Sequence, residues 1–178
     1  VQNLSKYQAL EHLEIANNKL QDMPLIALSP ALNVLDISGN QISDVNFVLG
    51  EGGEKGWKFL DLSNNPIDGY DLLSLLNVVD VKGLGLAGLV NIEGIQQWSG
   101  LSQLTYLDVS NAGLTYLDVS LMQNLQVLKV ADNHIEGLDL SNAYRLKELD
   151  VANNRLADDF VFGLPISVQR LNLSNNTK

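Results

Sequence analysis

One eleven-residue phrase recurs along the chain, and no other feature narrows the possible folds so far. Its cleanest copy is Leu10 to Leu20, LEHLEIANNKL, which reads as LxxLxLxxNxL. It returns at Leu32 (LNVLDISGNQI), Trp57 (WKFLDLSNNPI), Leu104 (LTYLDVSNAGL), Leu125 (LQVLKVADNHI), Leu146 (LKELDVANNRL) and Val168 (VQRLNLSNNT). Self-similarity at this period is the signature of a repeat architecture, in which each unit buries its apolar face only against its neighbours. Within LxL the apolar residues alternate with period two, the mark of a short strand with one buried face. The Asn at positions 18, 40, 65, 133, 154 and 176 follows the strand. There its amide can satisfy main-chain groups that a turn leaves unpaired, the condition under which a buried polar side chain is tolerated. Asn18, Asn40, Asn65, Asn133, Asn154 and Asn176 are therefore expected to form a structural ladder.

The phrase resembles that of leucine-rich repeat proteins and covers nearly the whole chain. Leu32 to Val45, LNVLDISGNQISDV, resembles the 22-residue repeats of bacterial internalins and related phosphatase-regulator proteins. From Leu104 the period is 21, and a second LDVS or LDLS appears on the return (Leu117 to Ser120, Leu138 to Ser141), which resembles repeats of bacterial surface proteins. Leu164 to Asn176 resembles the wording of secreted bacterial effectors. The resemblance implies an α/β fold: a right-handed, horseshoe-shaped solenoid with a parallel inner sheet of about eight short strands and a convex side of short helices, 3-10 turns and extended segments.

The coils are expected to start near Leu10, Leu32, Trp57, Val81, Leu104, Leu125, Leu146 and Val168, making residues 1–178 one repeat domain. Starting the fourth coil at Leu76 would give uneven coil lengths; Val81 spaces the stacked units evenly. Leu89 then replaces the ladder Asn, and in the fifth coil Ala112 does. The turns of two successive coils without Asn must pair their main-chain groups by other means or leave them unmet at about 1–3 kcal/mol each, which predicts an irregularity near residues 83–113. Tyr70 to Val79 is apolar enough for a short packed helix, and Ile92, Ile95 and Trp98 fit one face of another. Leu4, Tyr7 and Leu10 suit a helical turn. Pro24 and Pro30 argue against a long helix on the outer side of the first coil. GEGGEKG, residues 50–56, reads as a flexible loop and lacks the Gly-Lys-Ser/Thr of a phosphate loop. The eighth coil ends at Lys178 without a polar capping element, so a longer array is expected.

Hydrophobic residues make up 46% and charged residues 18% of the chain, which argues against disorder. A net charge of −10 disfavours nucleic acid and anionic membrane surfaces as partners. No run of apolar residues is long enough to cross a membrane. The chain has no cysteine, so disulfides and thiol–metal sites are excluded, and cysteine end-caps of the kind many extracellular animal relatives carry are absent. On the resemblance, that absence favours a bacterial or cytosolic origin; the bacterial surface or secretion is the favoured location and the cytoplasm stays open. The sequons at Asn3, Asn172 and Asn175 carry little weight, since the repeat wording itself generates two of them.

Residues between the consensus positions should face solvent and align in columns across a surface about 34 Å long. One column reads Glu14, Asp36, Asp61, Gly85, Asp108, Lys129, Asp150, Asn172; the other reads His12, Val34, Phe59, Gly83, Tyr106, Val127, Glu148, Arg170. Apolar and aromatic side chains on a solvated face are typical interface anchors, although strand propensity alone also selects them. The Asp column suits a basic partner, although LDLS is also ordinary family wording. Ligand contact is expected from Val34, Asp36, Phe59, Asp61, Tyr106, Asp108, Val127, Lys129 and Asp150. Gly83, Gly85, Ala87 and Gly88 should leave a bare notch between Phe59 and Tyr106. Charge shifts from Glu11, Glu14, Asp36 and Asp61 to Lys129, Lys147 and Arg170, which suggests a polarised groove.

Catalysis, metal and cofactors find little footing. His12 and His134 lie five coils apart, about 25 Å by strand spacing. Ser38, Ser63 and Ser110 follow the motif with no base in reach. Neither Asp158-Asp159 nor Asp68/Asp71 has calcium-loop spacing, and an exposed Asp column makes a poor cage. The expected function is recognition of a basic or neutral protein or peptide, or of a glycan, on the concave face. The alternatives are the targeting domain of a larger enzyme or effector, and a structural spacer in a surface protein.

Overall fold

The computed structural model describes residues 4–21, 28–49 and 56–176. Ten short strands follow one another: β1 (His12–Glu14), β2 (Val34–Asp36), β3 (Gly56–Trp57), β4 (Phe59–Asp61), β5 (Asp80–Val81), β6 (Gly83–Gly85), β7 (Tyr106–Asp108), β8 (Val127–Lys129), β9 (Glu148–Asp150) and β10 (Arg170–Asn172). Eight of them form one parallel sheet in the order β1-β2-β4-β6-β7-β8-β9-β10, and β3 pairs with β5 beside it. The strand order follows the chain order, so each coil lies against the one before it. Leu13, Leu35, Leu60, Leu84, Leu107, Leu128, Leu149 and Leu171 are lateral partners along the row.

The period-two pattern decides which side chains enter the core. The central leucines from Leu35 to Leu149 are fully buried, as are Ile37, Leu62, Leu86, Val109, Val130 and Val151 two positions on. Burying each such side chain stabilises the fold by about 1.5–3 kcal/mol. Leu171, on the outermost described strand, has a neighbour on one side only and is 42% exposed.

The ladder Asn closes each turn by linking two coils. Asn65 Nδ2 donates to the carbonyls of Leu62 and Ser63 in its own coil and of Ile37 in the preceding one, while its Oδ1 accepts from Ile42 N–H. Asn40, Asn133, Asn154 and Asn176 repeat this arrangement. Among the described residues Asn18 bonds only Ile15 and Ala16 of its own coil, and it is exposed.

The residue before the ladder position is left-handed in all eight coils. Asn17, Gly39, Asn64, Gly88, Asn111, Asp132, Asn153 and Asn175 have φ between 51° and 74°. Gly, Asn and Asp tolerate this conformation better than other residues. The irregularity expected for residues 83–113 is confined to the turn, and the inner sheet runs through without a break. In the two coils that lack the Asn, a second left-handed residue follows: Asn91 at φ 60° and Gly113 at φ 72°. A mixture of main-chain and side-chain bonds then serves these turns. Asp68 and Val90 form a parallel bridge, Gly69 N–H donates to Val90 O, and Ala87 N–H donates to Ser63 Oγ. Asn133 accepts from both Ala112 and Leu114 N–H.

The outer side is mixed. Helix α1 (Gly69–Leu76) occupies the apolar segment after β4. Single 3-10 turns lie at Asn46–Leu49, Glu93–Gln97, Ser99–Gln103 and Asp158–Gly163. Ile92, Ile95 and Trp98 are buried, as their spacing suggests, but on a 3-10 turn rather than an α-helix. Leu4, Tyr7 and Leu10 are joined by two successive three-residue turns. The second LDVS and LDLS copies form no strand; Asp118 and Asp139 instead accept from Ser120 and Ser141 N–H and close a turn. Two buried indoles tie outer segments together: Trp57 Nε1 donates to Val48 O and Trp98 Nε1 to Leu76 O. The glycine-rich loop up to residue 55, Pro24 and Asn3 lie outside the described residues.

Candidate binding face

The inner sheet presents one uncovered face. Its strands are three residues long, and β2, β4, β7, β8 and β9 each show a half-buried, buried, half-buried pattern. The alternation aims the flanking residues away from the core. Val34, Asp36, Phe59, Asp61, Tyr106, Asp108, Val127, Lys129 and Asp150 therefore come together on this surface. Their lateral register is direct: Val34 beside Phe59, Asp36 beside Asp61, Tyr106 beside Val127, Asp108 beside Lys129, and Lys129 beside Asp150.

The notch expected over the fourth coil is absent. Side chains of β4 lean onto β6 and fill the space its glycines leave. A Cβ on Gly83 would stand 2.6 Å from Phe59 Cδ2, and one on Gly85 would stand 2.5 Å from Asp61 Oδ1. Across Gly83 the rings of Phe59 and Tyr106 meet edge to face, with centroids 5.3 Å apart and planes at 65°. A contact of this kind contributes about 0.5–1.5 kcal/mol beyond its buried area. Lys129 Nζ lies 5.6 Å from the Tyr106 centroid. Phe59, Tyr106 and Lys129 thus form a continuous row spanning the third to sixth coils. Gly83 is what permits that row, because a larger side chain there would meet the Phe59 ring.

The aspartate column has a second employment. Oδ1 of Asp36, Asp61 and Asp108 accepts from the N–H of Ser38, Ser63 and Ser110 at 2.9–3.0 Å, and Asp150 accepts from Ala152 N–H. Asn172 makes the same bond to Ser174 in the eighth coil. These are Asx turns, by which a short polar side chain helps bend the chain out of the strand. Among the described residues none of Asp36, Asp61 and Asp108 takes part in an ion pair. Burial, followed by the charges of Asp36 and Asp108, raises the Asp61 carboxyl above its ordinary value, against the lowering hydrogen bonds from Ser63. Burial and the nearby Asp108, Asp61 and Glu148 push the Tyr106 phenol well up, so it remains a neutral donor.

Charge along the face is less polarised than the residue order implies. Arg170 pairs with Glu148 on the adjacent strand. Lys129 lies between Asp108 and Asp150 in register.

The left-handed column lies just beyond the strands, where the motif places small residues or Asn as the chain leaves the strand. Its signal was present, since every coil has Asn, Gly or Asp there. Several of its side chains run laterally: Asn153 donates to Asp132 and Asn175 to Asn153, both at 2.7 Å. Gly88 lies beneath Asn64, whose Oδ1 would be 2.5 Å from an added Cβ. A depression of about 740 Å³ on the flank, lined by Val78, Asp80, Lys82 and Gln103 among others, includes none of the inner-strand residues. Among the described residues no His, Cys, Asp and Glu side chains are grouped to hold a metal ion, and no helix is long and apolar enough to cross a membrane.

Residues 8–49 match the family model described as "Leucine Rich repeats (2 copies)". Among curated proteins, the chain is 29% identical to podocan-like protein 1 of Homo sapiens, over 94% of this chain and 30% of that protein. It is 28% identical to the transforming growth factor beta activator LRRC33 of Danio rerio, over 85% of this chain and 24% of that protein. The chain thus spans less than a third of the length of these relatives. Among solved structures, an internalin C2 from Listeria monocytogenes superposes with a TM-score of 0.75 at 24% identity, covering 96% of this chain and 74% of that one. A second Listeria monocytogenes internalin gives 0.69 at 20% identity, covering 98% and 58%. At these identities the superpositions speak for the fold. The repeat match, the in-register sheet and these neighbours agree: the chain carries leucine-rich repeats and folds as a leucine-rich repeat solenoid.

Proposed function

We propose that the inner sheet is a recognition surface for a protein or peptide segment. Leucine-rich repeat folds generally serve as protein–protein interaction modules, and this chain has a face suited to that work. The observation that carries the reading is the half-buried aromatic and aliphatic set on the uncovered sheet: Val34, Phe59, Tyr106 and Val127, with the two rings in contact. Apolar side chains displayed on the solvent side of a sheet, rimmed by carboxylates, have the make-up of an interface centre rather than of an ordinary surface. The net charge of −10 selects a basic or neutral partner and disfavours nucleic acid. Nothing in the site resembles a nucleophile with its base, so no reaction is assigned to these residues.

The test uses a partner recovered by affinity capture with the purified chain. Replacing both Phe59 and Tyr106 by alanine should weaken its binding at least about tenfold, since truncated aromatic anchors commonly cost that much. Unchanged affinity in the double variant would refute the assignment of this face.

A further inference from the structure

We propose that the inner face receives an arginine from a partner protein segment, its guanidinium lying against the Phe59–Tyr106 pair and paired with Asp61 and the flanking Asp36 and Asp108. This rests on the recognition reading above and adds the chemistry of the group recognised.

Three observations converge on that side chain. First, Asp36, Asp61 and Asp108 stand on one face with Asp36 and Asp61 directly adjacent, yet none has a cationic partner among the described residues. Their mutual repulsion is a cost that an external cation would relieve. Second, Asp61 is half-buried and lies flat across Gly85, beside the Phe59 ring that lies across Gly83. An aromatic surface and a partly desolvated carboxylate are thus offered side by side. Third, the face already holds a cation on an aromatic ring, Lys129 on Tyr106, so the geometry for such contacts exists here. Burial holds the Asp61 carboxyl above its ordinary range, which marks it as a group whose charge is poorly compensated.

Arginine fits these features better than lysine. Its planar guanidinium stacks on rings and binds carboxylates with two parallel donors, and it is less strongly hydrated, so entry to a half-buried site costs less. A lysine ammonium satisfies the charge but not the stacking. The flat floor over the two glycines also lets a partner main chain approach closely without meeting an upright side chain.

The test compares two probes, acetyl-Ala-Ala-Arg-Ala-Ala-amide and its lysine counterpart. Each is titrated into the full chain while the ring resonances of Phe59 and Tyr106 and the Asp61 amide are followed by NMR. The arginine peptide should shift these signals with an apparent Kd at least about fivefold below that of the lysine peptide. Asp61→Asn and Phe59→Val should each erase the preference. Both substitutions use residues that other coils carry at the same position, Asn172 in one column and Val34 and Val127 in the other, so the fold tolerates them. Equal affinity for the two peptides, or shifts centred away from β4 and β7, would overturn the proposal. A captured partner that loses affinity with the Phe59/Tyr106 double variant but lacks a contacting arginine would overturn this inference alone. One indifferent to that variant would remove the recognition reading as well.

Discussion

Replacing Asn133 with alanine tests how the turns are held. Asn133 is 5% exposed and its amide makes five hydrogen bonds. Two of the carbonyls it serves keep another partner: Val130 O retains Asn154 Nδ2 at 2.8 Å, and Ala131 O retains Asn111 N–H at 2.9 Å. Three groups have no recorded alternative: the N–H of Ala112, the N–H of Leu114 and the carbonyl of Val109. Each orphaned group costs about 1–3 kcal/mol, and entering water offsets part of that, so the loss should be at least about 2 kcal/mol. Asn18→Ala is the control. Asn18 is exposed and among the described residues bonds only its own coil, so its loss should stay below about 1 kcal/mol. Urea unfolding followed by circular dichroism gives both values. Amide exchange supplies the local readout, because Ala112 and Leu114 should exchange faster in the Asn133 variant before distant strands do. A loss no greater than that of Asn18→Ala, or unchanged exchange at those two amides, would refute the ladder account.

The leaning side chains of β4 predict a coupling. Gly83→Ala should destabilise the wild type because the new methyl meets the Phe59 ring, and should cost at least about 0.5 kcal/mol less in a Phe59→Val background, as a double-mutant cycle of denaturation midpoints would measure. The raised Asp61 carboxyl predicts a pH effect with a definite sign. Its contribution to stability is fully present below the unfolded value of 3.8 and is lost as pH rises through the higher folded value. Asp61→Asn should therefore melt above wild type near about pH 7 and level with it near about pH 3, and a gain that persists in acid would contradict this. Gly39→Ala should cost at least about 1 kcal/mol, because φ is +65° there and the methyl would strike the Asn17 side chain; Gly137→Ala, with open space around it, should cost little.

The spacing of leucines made the architecture legible, because only stacked coils give residues some 21–25 apart the same environment. Leu84 falls between Leu60 and Leu107, the register that even coil lengths favour. The ladder Asn was legible for the same reason, since a polar residue repeated at a core position must be bonded in the same way each time. The notch over the fourth coil was misread because glycine was treated as empty space. In a parallel stack a missing side chain is a place for the neighbour to lie down, and Phe59 and Asp61 do so. Ser38, Ser63 and Ser110 read as turn residues from their place in the motif; the structure adds their partner, the aspartate two residues back, which the sequence suggests only as charge. On the outer side, periodicity identified which residues are buried but not whether the turn is α or 3-10. Segments of four to six residues, such as Glu93–Gln97, are too short for propensity to separate the two.

Cross-linking tests the in-register stack most directly, and the absence of native cysteine makes the background clean. Asp36 and Asp61 are lateral Cα partners on adjacent strands, within reach of a disulfide. Cysteines placed at 36 and 61 should join rapidly under mild oxidation of the folded chain, while cysteines at 36 and 108, three strand spacings or about 14 Å apart, should not. Failure of the first pair to join, or joining of the second as readily, would contradict the stacking on which the proposed face depends.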